Sequence, residues 1–451
     1  MARRSRANEL TLWGTPFDFC FSEHTLAAER EWLRGVYDSL DGLNASWGTE
    51  FASWEDVTPL TTDEARVAHA DDRRWASWAD HRRFMELVFC GFFALVGEAV
   101  EAEAPGMPLD MSGIQQPNGY TGMDYWLLSR TIGVWSSYDG ENLGEIIRSF
   151  GRPMVKPWYG YGASGPDVQR RVWLDALRFR NFGVSFYSGI NILNPDFTIP
   201  KQVAELVEAL RFFREDGGAG LLRTLDERPQ VLIHYSQASI HAAQIEKRYD
   251  KFLAARDVWC RLLDDLCIPY RFVAYGEIEE GELTRTGARV LVLPESSALS
   301  AREMEEILVF AAHGGLVVGD GLSATHDIHC NLLPAGALDD LFSAGGSGVN
   351  FGRVRPRYLS LRKTAKGIGE AVAYRDEIGA KLASFLPETG IRFEQEGISG
   401  IRVFDLHPAD GGGLRYLGFV REDRTDAQER VGDGPRRTHV LQGFPRFQPS
   451  E

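Results

Sequence analysis

Residues 289–319 read RVLVLPESSALSAREMEEILVFAAHGGLVVG, and the periods within that run decide the fold of the middle of the chain. Arg289–Leu293 is a short apolar, β-branched run, the pattern of a strand covered on both faces in a parallel sheet. Ser300 followed three residues later by Glu303 is a capping box, which opens a helix. Met304, Ile307, Leu308 and Ala311 then recur at helical spacing and are expected to face inward. His313-Gly314-Gly315 ends that helix, a glycine supplying the left-handed residue that helix C-termini favour. Gly315–Gly319 is the next strand. Strand, helix and strand joined by short turns imply a parallel sheet.

The same alternation continues outward. Upstream, Gln230–Ser236 (QVLIHYS) reads as a buried strand, and Tyr270–Tyr275 (YRFVAY) as another. The helix between them carries Ile245, Tyr249, Phe252, Trp259, Leu262 and Leu266 on one side. Residues 229–345 are therefore predicted to be a compact, Rossmann-like, doubly wound α/β domain. Residues 1–228 alternate more loosely, with strands expected at Met107–Gly113, Ile132–Tyr138, Pro153–Tyr161 and Gly183–Ile190. Helices are expected at 78–104, 166–181 and 200–213. Four strands are half of what a (β/α)₈ barrel needs, so the region reads as a partial TIM-type barrel. Residues 346–451 form a small, β-rich third segment, with Ser399–His407 and Gly413–Arg421 alternating like antiparallel strands.

Composition narrows the class. The chain has 451 residues, 44% of them hydrophobic and 25% charged, as in a globular protein. A net charge of −15 opposes a nucleic-acid or anionic-membrane partner, because phosphate binding needs a basic surface. The most apolar run, Leu87–Val100, is too short to span a bilayer and reads as a buried core helix. Met1–Trp13 shows no signal-peptide pattern. Cys20, Cys90, Cys260, Cys267 and Cys330 are scattered and odd in number, which fits a reducing cytoplasm rather than a disulfide framework. Ten of the eleven tryptophans lie between Trp13 and Trp173, so the aromatic surface that sugar stacking would use belongs to the first region.

Leu43–Thr58 reads LNASWGTEFASWEDVT, which resembles the LN-x-x-WGT-x-F signature of glycoside hydrolase family 42, the β-galactosidases. Phe17–Tyr37 fits the helix before that signature. Trp78–Phe84 (WADHRRF), Ala104–Ser112 (APGMPLDMS) and Gly133–Asp139 (GVWSSYD) follow in matching order. Residues 229–345 are similar to that family's trimerisation domain, whose fold is that of class I glutamine amidotransferases. The resemblance covers roughly residues 8–345. It implies a retaining hydrolase on a (β/α)₈ barrel that takes a galactoside-like substrate, needs no cofactor or metal, and assembles as a homo-oligomer, a trimer in the family.

Retaining chemistry needs two carboxyl groups about 5–5.5 Å apart, one as acid/base and one as nucleophile. The resemblance points to Glu9, in Asn8-Glu9, as the acid/base. The stretch matching the family's nucleophile strand, Arg152–Gly162 (RPMVKPWYGYG), contains no carboxylate, and Trp158 stands about where the nucleophile would. Asp139 at a neighbouring strand end is the substitute expected here, with Glu141 and Asp196 as further candidates. Trp135, Tyr138, Trp158, Tyr159 and Tyr161 could stack on a pyranose. Gln115, Gln116 and Asn118 in the GIQQPN loop could bond its hydroxyls. Asp196 is a further substrate contact or a turn residue.

Other motifs carry less. The LPESSALS turn lacks the Cys that a glutaminase elbow needs, and the glycines near Gly319 lack dinucleotide-binding spacing. His326, His329 and Cys330 make a fragment of a metal site at most. Two functional readings stand: a β-galactosidase-like hydrolase missing the first half of its barrel, or a non-catalytic relative or fragment keeping the sugar-binding and oligomerisation scaffold. Four βα units leave open sheet edges, so self-association is expected.

Overall fold

The computed structural model describes residues 18–137 except 115, then 142–156, 182–184, 193–200 and a few helical positions between 175 and 214. It further describes 224–226, 229–343 except 267, 347–352, 357–383 except 363 and 365, and the strands 401–408 and 416–421. Four helices come first: α1 (Glu23–Val36), α2 (Leu40–Trp47), α3 (Thr62–Ala68) and the long α4 (Ala76–Glu103). A parallel sheet follows, built from β1 (Asp110–Ile114), β2 (Val134–Ser137), β3 (Met154–Lys156) and β4 (Phe182–Val184) in sequence order. β2 and β3 fall within stretches that sequence pattern marked, and β1 and β4 overlap theirs with one residue outside each. Met111, Trp135 and Met154 share one row across the sheet, all buried. Helices α5 (Tyr125–Ser129) and α6 (Leu143–Ser149) connect the strands.

After β5 (Thr224–Asp226) comes an all-parallel five-stranded sheet. Its strands are β6 (Val231–Tyr235), β7 (Tyr270–Ala274), β8 (Val290–Pro294), β9 (Leu316–Asp320) and β10 (Gly348–Asn350), in the spatial order β10-β9-β8-β6-β7. Successive side chains of a strand point to opposite faces. Val231, Ile233, Val290, Val292 and Val318 accordingly meet Val258, Trp259 and Leu262 on one face. Leu232, Leu291, Leu293 and Val317 meet Ile307 and Phe310 on the other. The sheet continues past residue 345, because β10 pairs with β9. β5 instead pairs antiparallel with β11 (Ile401–Pro408), which pairs antiparallel with β12 (Tyr416–Arg421), as the alternation near the C-terminus predicts.

One hydrophobic core joins the two parallel sheets, running from Met111, Trp135 and Ile146 to Ile233, Val258 and Phe272. The edge strand β7 is covered by α6: the Phe272 amide donates to Ser149 Oγ (2.8 Å), and Arg148 donates to the Tyr270 carbonyl (3.0 Å). Such cover satisfies edge groups that would otherwise invite strand addition.

Three expectations need correction. The helix expected after β6 is two, α7 (Gln237–Ile245) and α8 (Tyr249–Asp265), broken where Lys247 takes φ 57°. Following α9 (Tyr275–Glu279), α10 (Ala301–Ala312) does start at the Ser300/Glu303 capping box, but Leu308 is exposed and Phe310 takes the inward place. The apolar run Leu87–Val100 is helical yet half uncovered: Val88, Phe92 and Leu95 are exposed. α1 covers only the beginning of α4, through Trp32 against Phe84. The helices expected at 166–181 and 200–213 lie largely outside the described residues. Among the described residues no helix is long and apolar enough to cross a membrane.

Candidate functional site

Ligands of parallel α/β sheets bind at the carboxyl ends of the strands, so the loops after β1 and β2 come first. Gln116, Pro117 and Asn118 follow β1. Asn118 is buried, and its Oδ1 accepts the amides of Tyr120 (2.8 Å) and Thr121 (3.1 Å). That is an Asx-type turn, and it turns the chain from β1 toward α5. Gln116 Oε1 accepts from Arg256 (2.9 Å), the Pro117 carbonyl from the Tyr249 hydroxyl (2.6 Å), and the Asn118 carbonyl from Gln237 Nε2 (3.4 Å). After β2, Asn142 donates to Asp257 (2.8 Å). Two strand-end loops are thus tied to α7 and α8.

The other residues singled out from sequence distribute as follows. Trp135 is fully buried, 5.0 Å from the Tyr125 ring, and its face is core surface rather than pocket wall. Asp196 lies in an exposed turn, where its Oδ1 accepts from the Thr198 hydroxyl (2.6 Å) and amide (3.0 Å); these bonds lower its proton affinity. Glu9, Gln115, Tyr138, Asp139, Glu141, Trp158, Tyr159 and Tyr161 lie outside the described residues. The structure therefore brings Gln116 and Asn118 together at one loop and places Trp135 and Asp196 away from it.

The residues of the WGT signature bind one another. Asn44 Oδ1 accepts from the Thr49 hydroxyl and the Phe51 amide (both 2.9 Å), and its Nδ2 donates to the Phe51 carbonyl (3.0 Å). Gly48 ends α2 at φ 71°, which glycine tolerates at no steric cost. Trp47 donates to Asp80 (2.8 Å), which also accepts from Tyr37 (2.6 Å) and pairs with His329 (2.6 Å). Burial opposes the Asp80 charge, but the His329 charge and these donors hold its carboxyl below the usual range. Burial likewise opposes charge on His329, and Asp80 outweighs it, so the imidazole holds its proton above the ordinary histidine range. His326 contacts Glu246 (3.2 Å), and the Cys330 thiol donates to the Ala238 carbonyl (3.3 Å). The THDIHC loop is thus a set of tethers, and among the described residues no His/Cys/Asp/Glu group could hold a metal.

Sequence reasoning missed a buried polar network between the two sheets. Glu86 of α4 accepts from Gln237 (2.5 Å) and pairs with His241 (2.8 Å). Asp124 caps α5 through the amides of Trp126 and Leu127 and accepts from Tyr275 (2.7 Å). Burial, aided by the nearby charge of Glu86, pushes the Asp124 carboxyl up to about 7. Only a carboxylate inside an apolar helix, Glu86, hinted at this in sequence.

Ser296, His234 and Glu303 form a hydrogen-bonded row (3.0 and 2.9 Å) at the end of β8. All three are buried, and the Ser297 amide that could serve as an oxyanion donor is bonded to the Glu295 carbonyl (2.7 Å). The row is structural.

Comparison with known proteins adds family context. A profile of the glycoside hydrolase 42 β-galactosidase family matches residues 7–145. The β-galactosidase bgaB of Geobacillus kaustophilus is 24% identical over 195 residues, covering 37% of this chain and 28% of that protein. BgaP of Planococcus is 26% identical over 128 residues, covering 27% and 18%. The matched part thus spans under a third of these relatives. A catalytic mutant of Gan42B, a GH42 β-galactosidase from G. stearothermophilus, superposes with TM-score 0.65 at 13% identity, over 87% of this chain and 70% of that one. The β-galactosidase of Bacillus circulans sp. alkalophilus gives 0.61 at 12% identity, over 89% and 71%. Over residues 7–145 the chain is similar to glycoside hydrolase family 42, and its solved neighbours show a TIM-barrel-like α/β fold.

Proposed function

We propose that this protein binds a terminal galactoside at the carboxyl ends of β1–β4 and hydrolyses it by the two-carboxylate retaining route. Glu9 is the proton donor and Asp139 the nucleophile, with no cofactor. Tyr138, Trp158 and Tyr161 stack on the sugar, and Gln115 bonds its hydroxyls. The observations that support this reading are the family match over residues 7–145 and the parallel sheet β1–β4 that follows the matched signature. In this reading 1–228 is the barrel region, the unit from 229 through β10 an amidotransferase-like one that assembles the homo-oligomer, and the rest an appendage. The compartment is cytoplasmic.

A second reading, a sugar-binding protein without turnover, is favoured by one feature: Arg152–Gly162 has no carboxylate. Release of nitrophenol from 4-nitrophenyl β-galactoside separates the two. Hydrolysis lost in both Glu9→Gln and Asp139→Asn supports the first. Binding of a thiogalactoside without turnover supports the second, and neither binding nor turnover by folded protein removes both.

A further inference from the structure

We propose that α7 and α8 act as a clamp that sets the loop after β1 for sugar binding, with Gln237, Tyr249 and Arg256 as positioning residues. Its functional half rests on the carbohydrate reading above; its structural half stands alone. Three consecutive loop residues are held by three side chains from the other sheet's helices. Arg256 reaches Gln116 (2.9 Å), Tyr249 reaches the Pro117 carbonyl (2.6 Å) and Gln237 reaches the Asn118 carbonyl (3.4 Å). The donors lie 119 to 140 residues along the chain from their acceptors.

The loop needs such help for a physical reason. Its downstream part is fixed by the Asn118 turn, whereas Pro117 has no amide with which to build a turn of its own. A strand-end carbonyl left unpaired in a buried place is costly. The clamp is itself rigid. Gln237 is fixed at both ends of its amide, Nε2 on Glu86 (2.5 Å) and Oε1 accepting from Tyr235 (2.9 Å). Arg256 is 2% exposed and lies against Asp257 (3.4 Å). Asp257 in turn takes Asn142 from the loop after β2 (2.8 Å). Two neighbouring residues of α8 therefore touch the loops of two adjacent strands. Positioning of this kind matters because binding groups must be held to a fraction of an ångström.

The test uses the full chain with Tyr249→Phe, which removes one hydroxyl, and Arg256→Lys, which keeps the charge but loses the planar fork. Amide exchange is followed in peptides covering 116–124 and, as internal control, 301–312. Calorimetry with isopropyl β-thiogalactoside gives affinity. The clamp predicts exchange about tenfold faster in 116–124 in each variant, the factor one buried hydrogen bond carries, with 301–312 unchanged. It predicts a matching loss of thiogalactoside affinity and, with 4-nitrophenyl β-galactoside, a change in KM larger than in kcat. Unchanged exchange in 116–124 in both variants overturns the clamp. Faster exchange with unaltered affinity overturns its role in binding. If the wild type binds no galactoside, the carbohydrate reading fails, and the exchange result alone decides the clamp.

Discussion

Between Ala76 and Glu86, α4 buries Asp80, His81, Arg82 and Glu86, each no more than 2% exposed, whereas beyond Leu87 it leaves Val88, Phe92 and Leu95 45–66% exposed. For these seven residues chemistry and burial are inverted. Those four charged or polar residues are buried because each meets a partner. Asp80 has Tyr37, Trp47 and His329; His81 has Glu29 (2.9 Å) and the Phe19 carbonyl (3.0 Å); Arg82 donates to that same carbonyl (3.0 Å); Glu86 has Gln237 and His241. Buried charge is tolerable only when paired in this way. Past Leu87, Cys90 and Phe93 are buried in the shared core, whereas Val88, Phe92 and Leu95 stay exposed because nothing among the described residues covers that face. Hydropathy says what a residue prefers; the partners available decide what it gets.

Four substitutions sharpen or break the contrast. Asp80→Ala has the largest expected effect. It strands Tyr37, Trp47 and His329 together, and thermal unfolding should report the upper end of the about 3–5 kcal/mol typical of breaking a buried pair. A cost near that of a surface substitution would break the comparison from the charged side. Phe93→Ala comes next, at roughly 3–4 kcal/mol, because Phe93 is fully buried in the shared core.

Asp124→Asn changes a slope. The folded form keeps the Asp124 proton up to about 7, while an unfolded chain releases it near about 3.9. Between those values the folded state binds more protons, so this group's contribution to stability falls as pH rises from about 4 to about 7. Denaturant midpoints measured across that window should decline less steeply in Asp124→Asn, by at most about 1.4 kcal/mol per pH unit. Identical slopes would show that the carboxyl titrates normally. Phe92→Ala, one residue from Phe93, should cost under about 0.5 kcal/mol by the same denaturant measurement, since its ring is half exposed. Equal losses at 92 and 93 would mean that the apolar face is covered in solution, as self-association would require.

What could be read from sequence follows the same division. The strands β1–β4 and β6–β9 and the capping box at Ser300 were legible because each is written in a few consecutive residues. Asp80 was illegible, since its partners come from 33, 43 and 249 residues away. The Lys247 break is not written in the pattern, because the apolar spacing runs through it. At the candidate site, strand-end reasoning found the loop of Gln116 and Asn118 but not that Asn118 is committed to its own turn. Trp135 had the right residue type and strand, yet the alternation of faces put it in the core.

Native-state amide exchange along α4 tests the account most directly. If partners rather than hydropathy set burial, amides from Asp80 to Glu86 should exchange only through global unfolding, and those from Leu95 to Glu103 through far cheaper local opening. Uniform protection along the helix, or stronger protection in the apolar half, would contradict it.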